Sequence, residues 1–344
     1  MLVRQSDHLG RPGSIQAVIL SLALVIVVLL ILMADRSNVL DQENYIRYFQ
    51  DEHLMDVFFA RLDPRDPWLK TVLLFTSEEF LWLVYVTVIG SLFAPEFSVA
   101  LTVFLLNFSV LYGLSKLPNG VYGMVLWFAI PVGAAVIGYY QIRQGVAFGL
   151  FMVLLATGRP LLLSALLAAV VHTTFAIPLA IACLMYIPAL RVRPWLCLVA
   201  ISTVFLTITI VGGQLLGEFG GRRSETAEFD QGATSLNFVY VTLMLGAPSL
   251  ALVACRQFSP RSPVFIASMV HLGVVIWLTL SFFFLPVGTS RVGYFGPLLS
   301  ILPLSMAGGF LLRRYPIVIL IHSIGAAILV YGGVRDQLYA QPFL

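Results

Sequence analysis

YYQIRQGVAFGLFMVLLATGRP, residues 139–160, carries Arg143 near one end and Arg159 near the other. Every residue from Gln144 to Gly158 is uncharged, and most are apolar. Such a run belongs in lipid, yet it falls short of the roughly 20 residues that cross a bilayer. The same composition extends over the whole chain. Of 344 residues, 59% are hydrophobic and 11% charged, against about 25% charged in a soluble domain. Too little polar surface remains to face water, so the sequence predicts an all-α, polytopic integral membrane protein. A net charge of +3 is too small to argue for nucleic acid. Cys183, Cys197 and Cys255 lie in apolar runs without metal-ligand or disulfide spacing, as buried hydrophobes do.

On either side of this stretch, apolar runs at 14–33, 71–93, 97–115, 117–139, 143–158, 160–188, 195–216, 236–254, 263–286, 292–311 and 315–333 give about eleven spans, within a range of 10–12. No internal repeat or low-complexity segment divides them, so residues 1–344 are read as a single transmembrane domain. The first run is too long for a signal-peptide core and lacks a small-residue cleavage site, which makes it a retained span. Arg4 and Arg11 precede it and place the N-terminus in the cytoplasm. Arg191 and Arg193, Arg256 and Arg261, and Arg313 and Arg314 then mark cytoplasmic turns after every second span. Segments 34–70, 217–235 and 287–291 face outward. The opening stretch fits poorly. Strict alternation puts Arg143 inside, Arg159 outside, and Lys116 outside against the charge rule. A broken or re-entrant helix, tolerated where protein buries it, leaves the side of Arg143 open.

The outer segment DQENYIRYFQDEHLMDVFFARLDPRDPW, residues 41–68, places Tyr45, Tyr48, Phe49, Met55, Phe58, Phe59 and Leu62 at helical spacing, with acids opposite. An amphipathic helix on the membrane surface, apolar side down, is expected. The prolines of DPRDPW end it, and Trp68 anchors the return into lipid. Asp41 is either a helix N-cap or a carboxylate at the water boundary able to act as a base. Glu79, at the edge of the second span in TSEEFLW, is a second such carboxylate.

Ionisable groups inside spans are costly and therefore suspect. Arg143 is followed by Gly145 and Gly149, a Gly-x-x-x-Gly pair that lets another helix approach and fix the arginine. The alternative is that Arg143 snorkels to the interface. His172 follows Ser164 and Ala168 at four-residue spacing, which turns it into the bundle. There it either satisfies a backbone carbonyl or serves a site with Arg143. His271 and His322 have no evident polar neighbours and read as structural. Arg291 and Tyr294 stand three apart at the outer mouth of the tenth span. Arg222 and Arg223 lie among acids and glycines in the outer loop 217–235, where solvation is the simpler reading and phosphate contact the other. Arginine forks match phosphate oxygens two bonds at a time and keep their charge. A diphosphate on a lipid sits at the depth of these groups. No nucleotide loop, Walker sequence or His/Cys metal spacing occurs, so a lipid donor is expected, with no cofactor and no metal.

The stretch 139–180 resembles the EpsG-like, Wzy-type polysaccharide polymerases. Arg143, Gln144, Gly145 and Ala147 match the family's arginine-led helix start, and His172, Thr173 and Thr174 its histidine in the following span. Asp41 and Tyr45 resemble its Asp-x-x-x-Tyr element. SEEFLW resembles its acidic start to the second span, though the proline that usually follows the acid is absent, leaving Glu78 beside Glu79 as the alternative. SRVGYF resembles a late arginine-tyrosine element, Arg291 and Tyr294. The resemblance implies a bacterial inner-membrane glycosyltransferase with a GT-C-like bundle. It would join oligosaccharide repeat units carried on undecaprenyl diphosphate, at the outer face, for O-antigen, capsule or exopolysaccharide, with a chain-length regulator as partner. In that frame Arg143, with Arg291, holds the diphosphate, and His172 or Asp41 orients or deprotonates the acceptor hydroxyl. Tyr45 and Tyr294 stack on sugars. Gln144, Glu79, Arg159, Arg222 and Arg223 complete the substrate contacts. A lipid-linked oligosaccharide flippase or an integral acyltransferase would use similar residues and are the rival readings.

Overall fold

A computed structural model describes residues 14–33, 40–62, 68, 71, 74–75, 78–219, 236–255, 258–284 and 294–335, and the side chains of most of these. All secondary structure among them is helical. It falls into two compact units, residues 1–176 with 333–344, and residues 177–332.

The first unit contains α1 (Ser14–Met33), α2 (Leu40–Gln50), α3 (Leu54–Ala60), α4 (Phe80–Leu92), α5 (Pro95–Ser115), α6 (Gly120–Ala129), α7 (Val132–Tyr140), α8 (Ile142–Ala156) and α9 (Leu161–Val171). Helix α5 is its centre and packs against α1, α2, α4, α6, α7 and α8. Small residues let the backbones approach, as expected where lipid removes the hydrophobic drive between helices. A Cβ on Gly113 would stand 2.7 Å from that of Met152, and one on Gly149 would stand 3.0 Å from Ser109 Cβ. The Gly145–Gly149 pair thus seats α8 on α5, with Gly145 against Leu106 and the Ile137 carbonyl.

The predicted span 117–139 is broken. Helices α6 and α7 meet at 68°, around buried Ile130, Pro131 and Val132. Proline at this point removes a donor and crowds the preceding turn, and α7 is wound more loosely than an α-helix. One buried side chain ties the bend together. Asn107 on α5 accepts from Trp127 Nε1 at 2.9 Å and donates to the carbonyls of Val103 and Gly138 at 2.8 and 3.0 Å. The break at Gln141 then starts α8 one residue before Arg143.

The predicted span 160–188 is broken as well. Helix α9 ends at Val171, His172 is extended (φ −150°, ψ 125°), and Thr173–Phe175 forms one tight turn before α10 (Ala176–Tyr186). Pro178 accounts for this, because its ring cannot donate and excludes the carbonyl four residues back, at Thr174. His172 therefore sits at a helix break and not within a continuous span.

The outer amphipathic segment also differs from expectation. Its described residues up to 62 form two helices, α2 and α3, interrupted at 51–53. The apolar face of α2 packs on α4 and α5. Tyr45 and Phe49 are buried there, with their rings edge-on to Trp82 at 5.8 and 6.3 Å. That face is thus covered by protein.

The second unit contains most of α10, then α11 (Pro188–Val192), α12 (Pro194–Phe219), α13 (Leu236–Ala254), α14 (Pro263–Phe284), α15 (Phe295–Leu299), α16 (Ile301–Arg314) and most of α17 (Pro316–Arg335). Helix α14 is central, against α12, α13, α15 and α16. His271 and His322, read as lacking polar neighbours, each find a serine hydroxyl. Ser249 Oγ lies 2.8 Å from His271 Nδ1, and Ser300 Oγ 3.4 Å from His322 Nε2.

Ile15–Met33, Pro95–Ser115 and Pro263–Leu280 are long and apolar enough to cross a membrane, and the bent pair α6–α7 makes a fourth. Several of the remaining predicted spans are occupied by shorter apolar helices, including α4, α8 and α9. The chain is a membrane protein, and its secondary structure among the described residues is entirely helical.

Candidate active site

Separate segments of the first unit converge on the pair formed by Glu79 and Arg143. Glu79 immediately precedes α4, and its carbonyl accepts from the N–H groups of Trp82 and Leu83 at 2.8 and 3.2 Å. Its backbone is left-handed, at φ 58° and ψ 51°. No other non-glycine residue among those described has positive φ. For a side chain with a Cβ this costs on the order of 1–2 kcal/mol, and it persists where surrounding contacts hold it. Here the contacts are polar. The side chain is 3% exposed.

Arg143, in the first turn of α8, donates from Nη1 to Glu79 Oε2 at 2.8 Å. Its guanidinium lies over the Tyr48 ring, 5.5 Å from the centroid, and within hydrogen-bonding reach of Tyr45. The other oxygen, Glu79 Oε1, accepts from the Thr173 backbone N–H at 3.4 Å and lies 3.6 Å from His172 Nε2. On its far side the imidazole is fixed by Thr174, whose N–H donates to Nδ1 at 3.3 Å and whose hydroxyl is 2.8 Å from the same atom. The sequence folds this way locally because the break before Pro178 frees the N–H groups of Thr173 and Thr174 from α-helical pairing. The arginine is thereby paired with a buried carboxylate.

Gln144, Arg143 and Trp82 carry buried polar atoms with no protein partner among the described residues. Gln144 is 1% exposed, yet neither its amide oxygen nor its nitrogen makes a hydrogen bond. Arg143 Nε and Trp82 Nε1 are in the same condition. Buried polar groups are normally paired, so each such atom calls for an explanation.

The candidates named from sequence separate clearly. Arg143, His172, Glu79 and Tyr45 come together, with Gln144 next to Arg143. Of the two glutamates, Glu79 faces Arg143, whereas Glu78 pairs with Arg61 at 2.7 Å. Tyr45 is buried against Trp82 and the guanidinium, so the ring left more open at this point is that of Tyr48. Arg159 does not join them. It is exposed beyond the end of α8, and a straight helix of 15 residues separates its ends by roughly 22 Å. Asp41 lies on α2 one turn before Tyr45, and its side chain is outside the described residues. Arg222, Arg223 and Arg291 are also outside them. Tyr294 belongs to the second unit, at the start of α15. Tyr48 and Trp82 were not singled out from sequence, and Thr173 entered only beside His172 in the family's histidine element. The helical spacing marked Tyr48 as apolar-face, but nothing in that pattern says which ring lies under an arginine.

This ion pair sits within the part of the chain that the EpsG family model covers, residues 19–334, which is nearly its whole length. The chain belongs to the EpsG family. EpsG proteins are Wzy-like polysaccharide polymerases, and membership implies a glycosyltransferase-like polymerase in a membrane. No curated protein and no solved structure matches this EpsG chain. Among its described residues no group of three or more His, Cys, Asp or Glu side chains is placed to hold a metal ion.

Proposed function

We propose that the protein joins oligosaccharide repeat units carried on undecaprenyl diphosphate into a polysaccharide, at the periplasmic face of the bacterial inner membrane, within a GT-C-like bundle of about eleven crossings. The observation that carries this reading is the Arg143 guanidinium in the first turn of α8, paired with Glu79 and lying over Tyr48, with His172 on the other oxygen of that carboxylate. A planar fork in a poorly hydrated place suits a diphosphate that gains charge as it departs. The acceptor hydroxyl of one repeat unit attacks the anomeric carbon of another. The bond from that carbon to the diphosphate breaks, and its electron pair stays on the leaving oxygen beside Arg143. Gln144, with both amide ends unengaged by the described protein, supplies further contacts to sugar or phosphate. Asp41, one turn before Tyr45, orients the acceptor.

The test is chain elongation. Purified protein in liposomes, given lipid-linked repeat units alone, is expected to lengthen the glycan, read on a gel. Arg143→Ala is expected to lower the rate by about a hundredfold or more. Glycans of unchanged length, or a wild-type rate from Arg143→Ala, would defeat the reading. Movement of the lipid between leaflets without elongation would indicate a flippase.

A further inference from the structure

Two features of the cluster are left over once Arg143 has been assigned to the diphosphate. The guanidinium is already engaged, by a buried carboxylate at 2.8 Å. And that carboxylate hangs from the strained residue of the first unit, Glu79. The orientation of His172 adds a third point. A backbone N–H can only donate, so the Thr174 N–H at 3.3 Å fixes Nδ1 as an acceptor. The neutral ring then carries its proton on Nε2, the atom 3.6 Å from Glu79 Oε1. Held in this way, His172 is a donor toward the carboxylate and is not poised to remove a proton.

We propose that Glu79 is both the resting lock on Arg143 and the base of the transfer: the donor's diphosphate takes its place on the guanidinium, and the released carboxylate accepts the acceptor's proton. This rests on the polymerase reading above. The groups facing the carboxylate include Arg143 from α8, and His172 and the Thr173 N–H from the break after α9. Tyr45 and Tyr48 of α2 flank the guanidinium, and Glu78 is turned away to Arg61. While Arg143 and the Thr173 N–H hold its two oxygens, the carboxylate is already engaged by donors. With Arg143 drawn to the diphosphate, that restraint is lost and a second anion stands nearby. The base is therefore armed only when a donor is bound.

In the step itself the acceptor oxygen forms a bond to the anomeric carbon and gives its proton to Glu79. The bond from carbon to diphosphate breaks, leaving its electron pair on undecaprenyl diphosphate. Glu79 then loses the proton to water and returns to Arg143, which displaces the spent carrier. Rotation about the side-chain bonds of Glu79 moves the carboxylate while its carbonyl keeps the N–H groups of Trp82 and Leu83 at the start of α4.

The experiment measures binding and transfer separately, on purified full-length protein. Binding of undecaprenyl diphosphate and of inorganic pyrophosphate is compared in wild type, Glu79→Gln and Glu79→Asp, with thermal melting to confirm folding. Glu79→Gln is expected to bind both probes roughly tenfold more tightly, since the competing carboxylate is gone, while transfer falls by about a hundredfold or more. Glu79→Asp, one methylene shorter, is expected to bind more tightly as well and to keep part of the transfer rate. A merely structural Glu79 would weaken both readouts together. Unchanged or weaker binding in both variants overturns the proposal, as does a gain confined to the lipid and absent with inorganic pyrophosphate. Near-wild-type transfer by Glu79→Gln overturns the base assignment. Failure of the polymerase reading is separate, because wild type itself would then leave glycan length unchanged.

Discussion

Lysine in place of Arg143 would keep one positive charge beside Glu79 and lose the planar fork. If the guanidinium binds two phosphate oxygens at once, Arg143→Lys should fall between wild type and Arg143→Ala, roughly tenfold down in elongation rate. Rates equal to wild type would mean that charge alone is used. Thr174→Val removes the hydroxyl 2.8 Å from His172 Nδ1 and leaves the backbone N–H in place. It should lower the rate modestly, by the equivalent of about 1 kcal/mol, with little change in melting. At this scale Arg143 and His172 were legible from sequence, because an ionisable group amid apolar residues stands out against the cost of burying it. The left-handed backbone of Glu79 was not. A glutamate in that conformation obeys no local preference and is held by tertiary contacts alone.

At the scale of elements, the site is positioned by two broken helices and one close helix pair. The α6–α7 bend delivers Arg143 to the start of α8, and the break after α9 delivers His172 and two free N–H groups. Asn107→Leu should unpair Trp127 Nε1 and the Gly138 carbonyl, at about 1–3 kcal/mol for each orphaned group. A clear drop in melting temperature together with loss of elongation is the expected result. Gly113→Leu should force α5 and α8 apart at Met152, costing roughly 1–3 kcal/mol by overpacking. The Gly-x-x-x-Gly spacing announced the close approach of α8 without naming its partner, which is α5. Prolines 131 and 178 were visible, yet a proline in an apolar run is compatible with a kink or a stop. Packing decides between them.

For the whole molecule, a charged fraction of 11% already excludes a water-facing surface, and the described chain is helical throughout. The arginine-bearing turns at 191–193 and 313–314 lie at helix ends, so single cysteines placed there should be labelled from the cytoplasmic side. Labelling from the opposite side would reverse the topology. Because no nucleotide or metal step is proposed, elongation from preformed lipid-linked units should proceed unchanged in a strong chelator. Loss of rate with chelation would require a metal that the lipid or the protein binds.

Composition and residue spacing are enough to put the chain in a membrane, to show roughly where its helices run, and to mark which charged groups stand in costly places. Local chemistry sets all of these. Packing in three dimensions selects Glu79 over Glu78 as the partner of Arg143, leaves Arg159 apart, and covers the face of α2 with protein. These outcomes depend on where side chains from distant segments end up in space. In an apolar bundle many helix rotations bury similar surface, and the few polar contacts between helices choose among them.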